Sequence, residues 1–80
     1  MQFHTLSRKQ KRLNFWTQFL EHEVHNDSLR LNMSDELKVL RNLLARCWEA
    51  QSVSNEDLSS IVDQERKLEQ LAQEARLSAR

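Results

Sequence analysis

Neither glycine nor proline occurs anywhere in these 80 residues. Ordinary usage would supply about 7% glycine and about 5% proline. The missing glycine excludes several kinds of chemistry. Phosphate-cradling loops, dinucleotide-binding turns and the nucleophile elbow all need a backbone without a Cβ at fixed positions. Tight type I′ and II′ hairpins go with them. The missing proline means that nothing breaks a helix from inside. Tyrosine is absent too, and valine and isoleucine are scarce, which argues against strands.

Cysteine occurs once, at Cys47. An intrachain disulfide is therefore excluded, and so is a cysteine-based zinc site. A lone thiol fits a reducing compartment, and a cytoplasmic location is the expectation. No apolar run approaches the ~20 residues of a membrane span, so no membrane contact is expected. The first five residues, Met1 to Thr5, lack a charged region followed by an apolar stretch, so no signal peptide is expected.

What is present is helix-forming. At this length the expectation is a single helical domain over residues 1–80. Such a chain buries only about 60–65% of its unfolded surface, so its core is marginal. Small unstapled domains often lean on a partner or a second copy. The first helix is expected over about 8–25. Ser7 followed by Gln10 is a capping-box pattern. Leu6, Leu13, Leu20 and Val24 form its stripe, which Phe15, Trp16 and Phe19 widen to roughly half the circumference, with Phe3 before them. Asn26-Asp27-Ser28 reads as a turn. The apolar Leu29, Leu31 and Met33 then read as a linker packed over the helix ends.

The second helix is expected over about 35–51, starting after Ser34 with Asp35 and Glu36 in its first turn. Leu37, Leu40, Leu44 and Cys47 make its stripe, and Leu43 and Trp48 flank it. The third is expected over about 55–78. Ser54 and Asp57 form a capping box, and Val53 with Leu58 a hydrophobic staple. In heptads, Leu58, Glu65, Ala72 and Ala79 share one position, and Ile61, Leu68 and Ala75 the other. The expected fold is all-α: a three-helix unit, a helical hairpin plus a long C-terminal helix, with dimerisation through that helix as the alternative.

Net charge is zero with neutral histidines, but it is unevenly placed. Residues 1–20 carry Arg8, Lys9, Lys11 and Arg12 and no acid. Four bases with aromatics along the same helix are a weak nucleic-acid signature. The competing expectation is a solvated face that pairs with Glu56, Asp57 and Asp63. Glu21, His22 and His25 could converge on a helix, but a zinc site needs three or four ligands and the two-histidine spacing of the zincins is not matched. No metal and no cofactor are expected. Cys47 lies on an apolar stripe, which suits a structural thiol better than a nucleophile.

No enzyme and no small-molecule substrate are therefore expected. The sequence points to a small non-enzymatic adaptor, chaperone or regulatory subunit acting through apolar helix faces, with a protein partner or a second copy. Its candidate contact residues are Phe15, Trp16, Phe19, Leu43 and Trp48. The alternative is a nucleic-acid-associated regulator that uses Arg8, Lys9, Lys11 and Arg12 after dimerisation.

Overall fold

The computed structural model describes residues 2–78, with the side chains of residues 4–77. It contains three helices: α1 (Gln2–Glu23), α2 (Asp27–Ala50) and α3 (Asn55–Ser78). The side chain of Phe3 and the heptad position of Ala79 lie outside the described residues.

Two of these helices are longer than the sequence patterns suggest. α1 begins at Gln2 rather than Arg8. Ser7 is thus an exposed interior residue and caps nothing. Gln10 instead donates to Asn14 Oδ1 at 3.4 Å. α1 also stops at Glu23, two residues short of His25.

The larger correction concerns residues 26–34. Asn26 is the N-cap of α2, and its Oδ1 accepts from the Leu29 N–H at 3.1 Å. Asp27 supplies the acid that the helix dipole favours in the first turn. There is no linker through Met33 and no fresh start at Ser34. With no glycine or proline to interrupt it, the helix runs unbroken from Asn26. Leu29, Met33, Leu37, Leu40, Leu44 and Cys47 are all buried and form one continuous stripe at spacings of three and four. Leu31 falls on the opposite side of that helix and is 68% exposed.

The connections are short and capped. Arg30, in the first turn of α2, donates through Nη1 to the carbonyls of Leu20 (3.1 Å) and Val24 (2.7 Å). It thereby satisfies orphan acceptors at the end of α1. α2 ends with Gln51 in the left-handed region (φ 54°, ψ 32°). The Gln51 N–H donates to the Trp48 carbonyl and the Ser52 N–H to the Cys47 carbonyl, each at 3.3 Å. That pair of bonds is a Schellman closure. α3 opens as its sequence predicts. Ser54 Oγ accepts from the Asp57 N–H at 3.1 Å, and Asp57 Oδ2 accepts from the Ser54 N–H at 3.4 Å.

Short connections between long helices make sequential neighbours antiparallel. The contacts agree: Glu36 meets Gln64 across α2 and α3, and Gln10 meets Trp48 across α1 and α2. α1 and α3 run parallel with a sequence offset of about 57, since Lys9 meets Glu65, Arg12 meets Glu69 and Phe19 meets Arg76. The bundle measures 41 × 19 × 15 Å. α2 packs closely on both neighbours, whereas α1 and α3 approach each other at few points.

The core explains why α1 is aromatic and why α3 shrinks to alanine. Leu6, Leu13, Trp16 and Phe19 face inward from α1, Val24 from the connection that follows it, and Ile61, Leu68, Ala72 and Ala75 from α3. The α1–α3 offset sets Trp16 and Phe19 beside Ala72 and Ala75. Large side chains from one helix fill the space that small ones leave on the other, which keeps the packing dense. Both alanines are buried, so α3 stays in the core as far as Ala75, while Leu77 beyond it is exposed.

Candidate functional site

The outer wall between α1 and α3 gathers the residues that the core does not consume. Positions 8, 12, 15 and 19 of α1 follow one another at spacings of four, three and four, which puts Arg8, Arg12, Phe15 and Phe19 in one column. The contacts of Arg12 and Phe19 with α3 show that this column lies on the α3 side of α1. On α3 the matching column is Val62, Arg66, Glu69, Gln73 and Arg76, anchored to the same side by Glu69 and Arg76. Because α1 and α3 stand apart, a groove opens between the columns at their Phe15–Phe19 end, while Arg12 bridges them further along through Glu69. Its open end is lined by Phe15, Phe19, Glu23, Ala75 and Arg76.

Phe15 is the exposed member of an aromatic cluster. Its ring meets Trp16 edge to face at 5.1 Å between centroids and lies 6.3 Å from Phe19. Trp16 and Phe19 meet edge to face at 5.8 Å. Such pairs contribute about 0.5–1.5 kcal/mol each beyond their buried area. The Arg76 guanidinium sits over the Phe19 ring at 5.4 Å, within cation–π range. Phe15 is 54% exposed, whereas Trp16 and Phe19 are buried. Of the three aromatics read as contact residues, Phe15 is the one that the fold leaves to the outside. Trp16 Nε1 is buried and makes no hydrogen bond among the described residues.

Leu43 and Trp48 do not share a face with that cluster or with each other. Five residues apart on a helix, they lie on opposite flanks of the buried stripe of α2. Leu43 is two turns from Glu36 and faces α3, while Trp48 Nε1 donates to Gln10 Oε1 of α1 at 3.4 Å. Both are half-buried against the core.

The basic start of α1 is divided in the same way. Lys9 Nζ donates to Glu65 Oε1 at 2.7 Å. Arg12 Nε lies 3.2 Å from Glu65 Oε2, and Arg12 Nη2 lies 3.2 Å from Glu69 Oε1. The first Arg12 contact is a charge contact without hydrogen-bond alignment. The acids involved are thus Glu65 and Glu69, not Glu56, Asp57 or Asp63. Glu65 is the polar member of an otherwise apolar heptad position, and that anomaly in the sequence marks where Lys9 and Arg12 reach across. Arg8 and Lys11 remain exposed.

Further down the interface between α2 and α3, buried Gln64 donates to the Glu36 carbonyl oxygen at 2.9 Å and to the Glu36 carboxylate. Cys47 is buried at the same interface. Burial pushes its thiol pKa up, the Asp57 carboxylate and its hydrogen bond push the same way, and Arg46 opposes them. A thiol held neutral is a poor nucleophile. Glu21, His22 and His25 are exposed at the end of α1. Among the described residues no three His, Cys, Asp or Glu side chains come together as a metal site. Among them, too, no helix is long and apolar enough to cross a membrane.

Sequence reasoning missed Arg66 and Arg76 as members of the outer wall. Their assignment needs the register of α1 against α3, and the sequence signalled that register only through Glu65. The chain matches no family model, no curated protein and no solved structure.

Proposed function

We propose that this is a small non-enzymatic protein-binding module, an adaptor, chaperone or regulatory subunit that docks a partner on the groove between α1 and α3. The observation that carries the reading is Phe15. An aromatic ring 54% exposed, backed by a rigid cluster of Trp16 and Phe19 and flanked by arginines, has the composition of an interface anchor. A preorganised ring loses little conformational freedom on binding, so more of its contact energy becomes affinity. The buried single thiol suits a reducing compartment such as the cytoplasm.

The second reading, a nucleic-acid-associated regulator, rests on exposed Arg8 and Lys11. Its support is narrower than the sequence implies, because Lys9 and Arg12 already hold Glu65 and Glu69. A phosphate would have to compete with those carboxylates for the same cations.

The two readings separate when the full chain and its Phe15→Asp variant are used as baits in lysate of the cell that makes the protein. Leu31→Asp serves as a control at an equally apolar surface site on α2. Recovery of a stoichiometric protein by the parent and Leu31→Asp chains, lost with Phe15→Asp, is the expected result. Equal recovery by all three, or recovery of nucleic acid alone with steep salt dependence, counts against it.

A further inference from the structure

Granting that the α1–α3 groove is a protein-docking site, we infer that its partner is an acidic amphipathic helix that sets carboxylates against Arg8 and Arg66 and an apolar side chain against Phe15. The charge of the groove carries the inference. Its two columns and open end hold four arginines, at positions 8, 12, 66 and 76, against two carboxylates, Glu69 in a column and Glu23 at the open end, while Lys9 and Glu65 between the helices cancel each other. The whole chain has zero net charge, so this wall is positive and the remaining surface is on balance negative. The charges are also graded along the groove. Glu69 is taken up by Arg12, and Glu23 lines the far end beside Arg76. By the offset of about 57 that Lys9–Glu65 and Arg12–Glu69 define, Arg66 lies level with residues 9 and 10 of α1. Arg8 and Arg66 thus stand at the same end of the wall, both exposed.

The apolar part of the groove follows from the same register. Phe15 lies about two turns beyond Arg8, and it lines the open end of the groove together with Phe19 and buried Ala75. From Arg8 to Phe19 the wall is about 16 Å long, three turns of helix. An occupant of this length that presents an acidic turn and then an apolar one matches the wall in sign and in polarity. Helices laid in grooves are read at this kind of spacing. Bidentate arginine–carboxylate pairs supply orientation, and the aromatic anchor supplies desolvated contact. A nucleic-acid strand fits less well. Its continuous negative charge would meet Glu69 and Glu23 on the same wall, and only part of the positive charge is unengaged.

The test is selection from a displayed library of helical 18-residue peptides with a randomised face, using the full chain as bait. The expected outcome is enrichment of Asp or Glu in one turn followed by Leu, Ile, Met or Phe three to seven positions on. Binding of a selected peptide should weaken at least tenfold with Phe15→Asp and with the double substitution Arg8→Glu and Arg66→Glu. The double variant should in turn select lysine at the acidic positions. Thermal unfolding and circular dichroism of each variant check that the bundle is retained; Arg8 and Arg66 are exposed, whereas Phe15→Asp also gives up ring contacts with Trp16 and Phe19, so the charge-reversal pair supplies the readout that does not depend on those contacts.

Enrichment of basic or purely apolar peptides, or no enrichment, overturns the acidic-helix inference. Tighter binding of a fifteen-nucleotide thymidine strand than of any selected peptide overturns it in favour of nucleic acid. Self-association of the chain abolished by Phe15→Asp overturns it in favour of a second copy. A captured cellular partner that meets Phe15 through a basic segment overturns it too, while leaving the protein-docking function standing.

Discussion

Gln51 holds the left-handed turn between α2 and α3, the one positive φ among the described residues. A side chain in that region costs about 1 kcal/mol relative to glycine. Gln51→Gly should therefore raise the unfolding free energy by about 0.5–1 kcal/mol, as read by chemical denaturation. Cys47 gives a second prediction at this scale. Its folded pKa is raised above the ordinary thiol value of 9.0, chiefly by burial and then by Asp57. The stability that comes from keeping the thiol neutral is complete below that ordinary value. It declines as pH rises from there toward the folded pKa, because the unfolded chain loses its proton first. Unfolding measured from pH 8 upward should show this decline, and Cys47→Ala should flatten it while lowering stability throughout. At pH 8 a thiol reagent should modify the folded chain far more slowly than the denatured one.

Each helix owes its limits to a few side chains, and these differ in how openly the sequence declares them. Asn26→Ala should cost about 1 kcal/mol, read as a lower Tm, because it removes the side-chain acceptor of the Leu29 N–H. The α3 start was legible: Ser54 and Asp57 have the pattern of a capping box, and the structure shows both of its hydrogen bonds. The α2 start was not, because two competing caps, Asn26 and Ser34, stand eight residues apart. Ser34-Asp35-Glu36 has the right residues for a helix start, but Leu29 and Met33 extend the buried stripe of Leu37 and Leu40 without a break, and that continuity was the better signal. The pairing of α1 with α3 was half legible. The charge pattern suggested that the bases meet Glu56, Asp57 and Asp63; Glu65 in an apolar seam was the unused signal, and the choice of Lys9 and Arg12 over the other bases depends on helix register. Removing Lys9 alone, as Lys9→Met, should cost about 1–2 kcal/mol by stranding a buried carboxylate, a figure reduced because Arg12 remains and is half exposed. Adding Glu65→Leu should restore most of that loss, and a double-mutant cycle measures the coupling.

At the scale of the whole molecule, the width of the apolar face on α1 is the feature that divides core from interface. Most of that width is internal: Trp16 and Phe19 fill the gap that Ala72 and Ala75 leave. The composition alone could not apportion it, since the same three aromatics could serve one broad seam or a seam and a surface. The loose approach of α1 to α3 settles the division, turning two aromatics inward and leaving Phe15 on a basic wall. Docking of a protein on this wall underlies the proposed function. Its most direct test replaces Phe15 with a photo-crosslinking phenylalanine analogue in the full chain, in the cell that makes it, with the same analogue at Leu31 as the comparison. A discrete protein adduct is expected from position 15, and none of that mass from position 31. No protein adduct at position 15, or the same adducts from both positions, would contradict it.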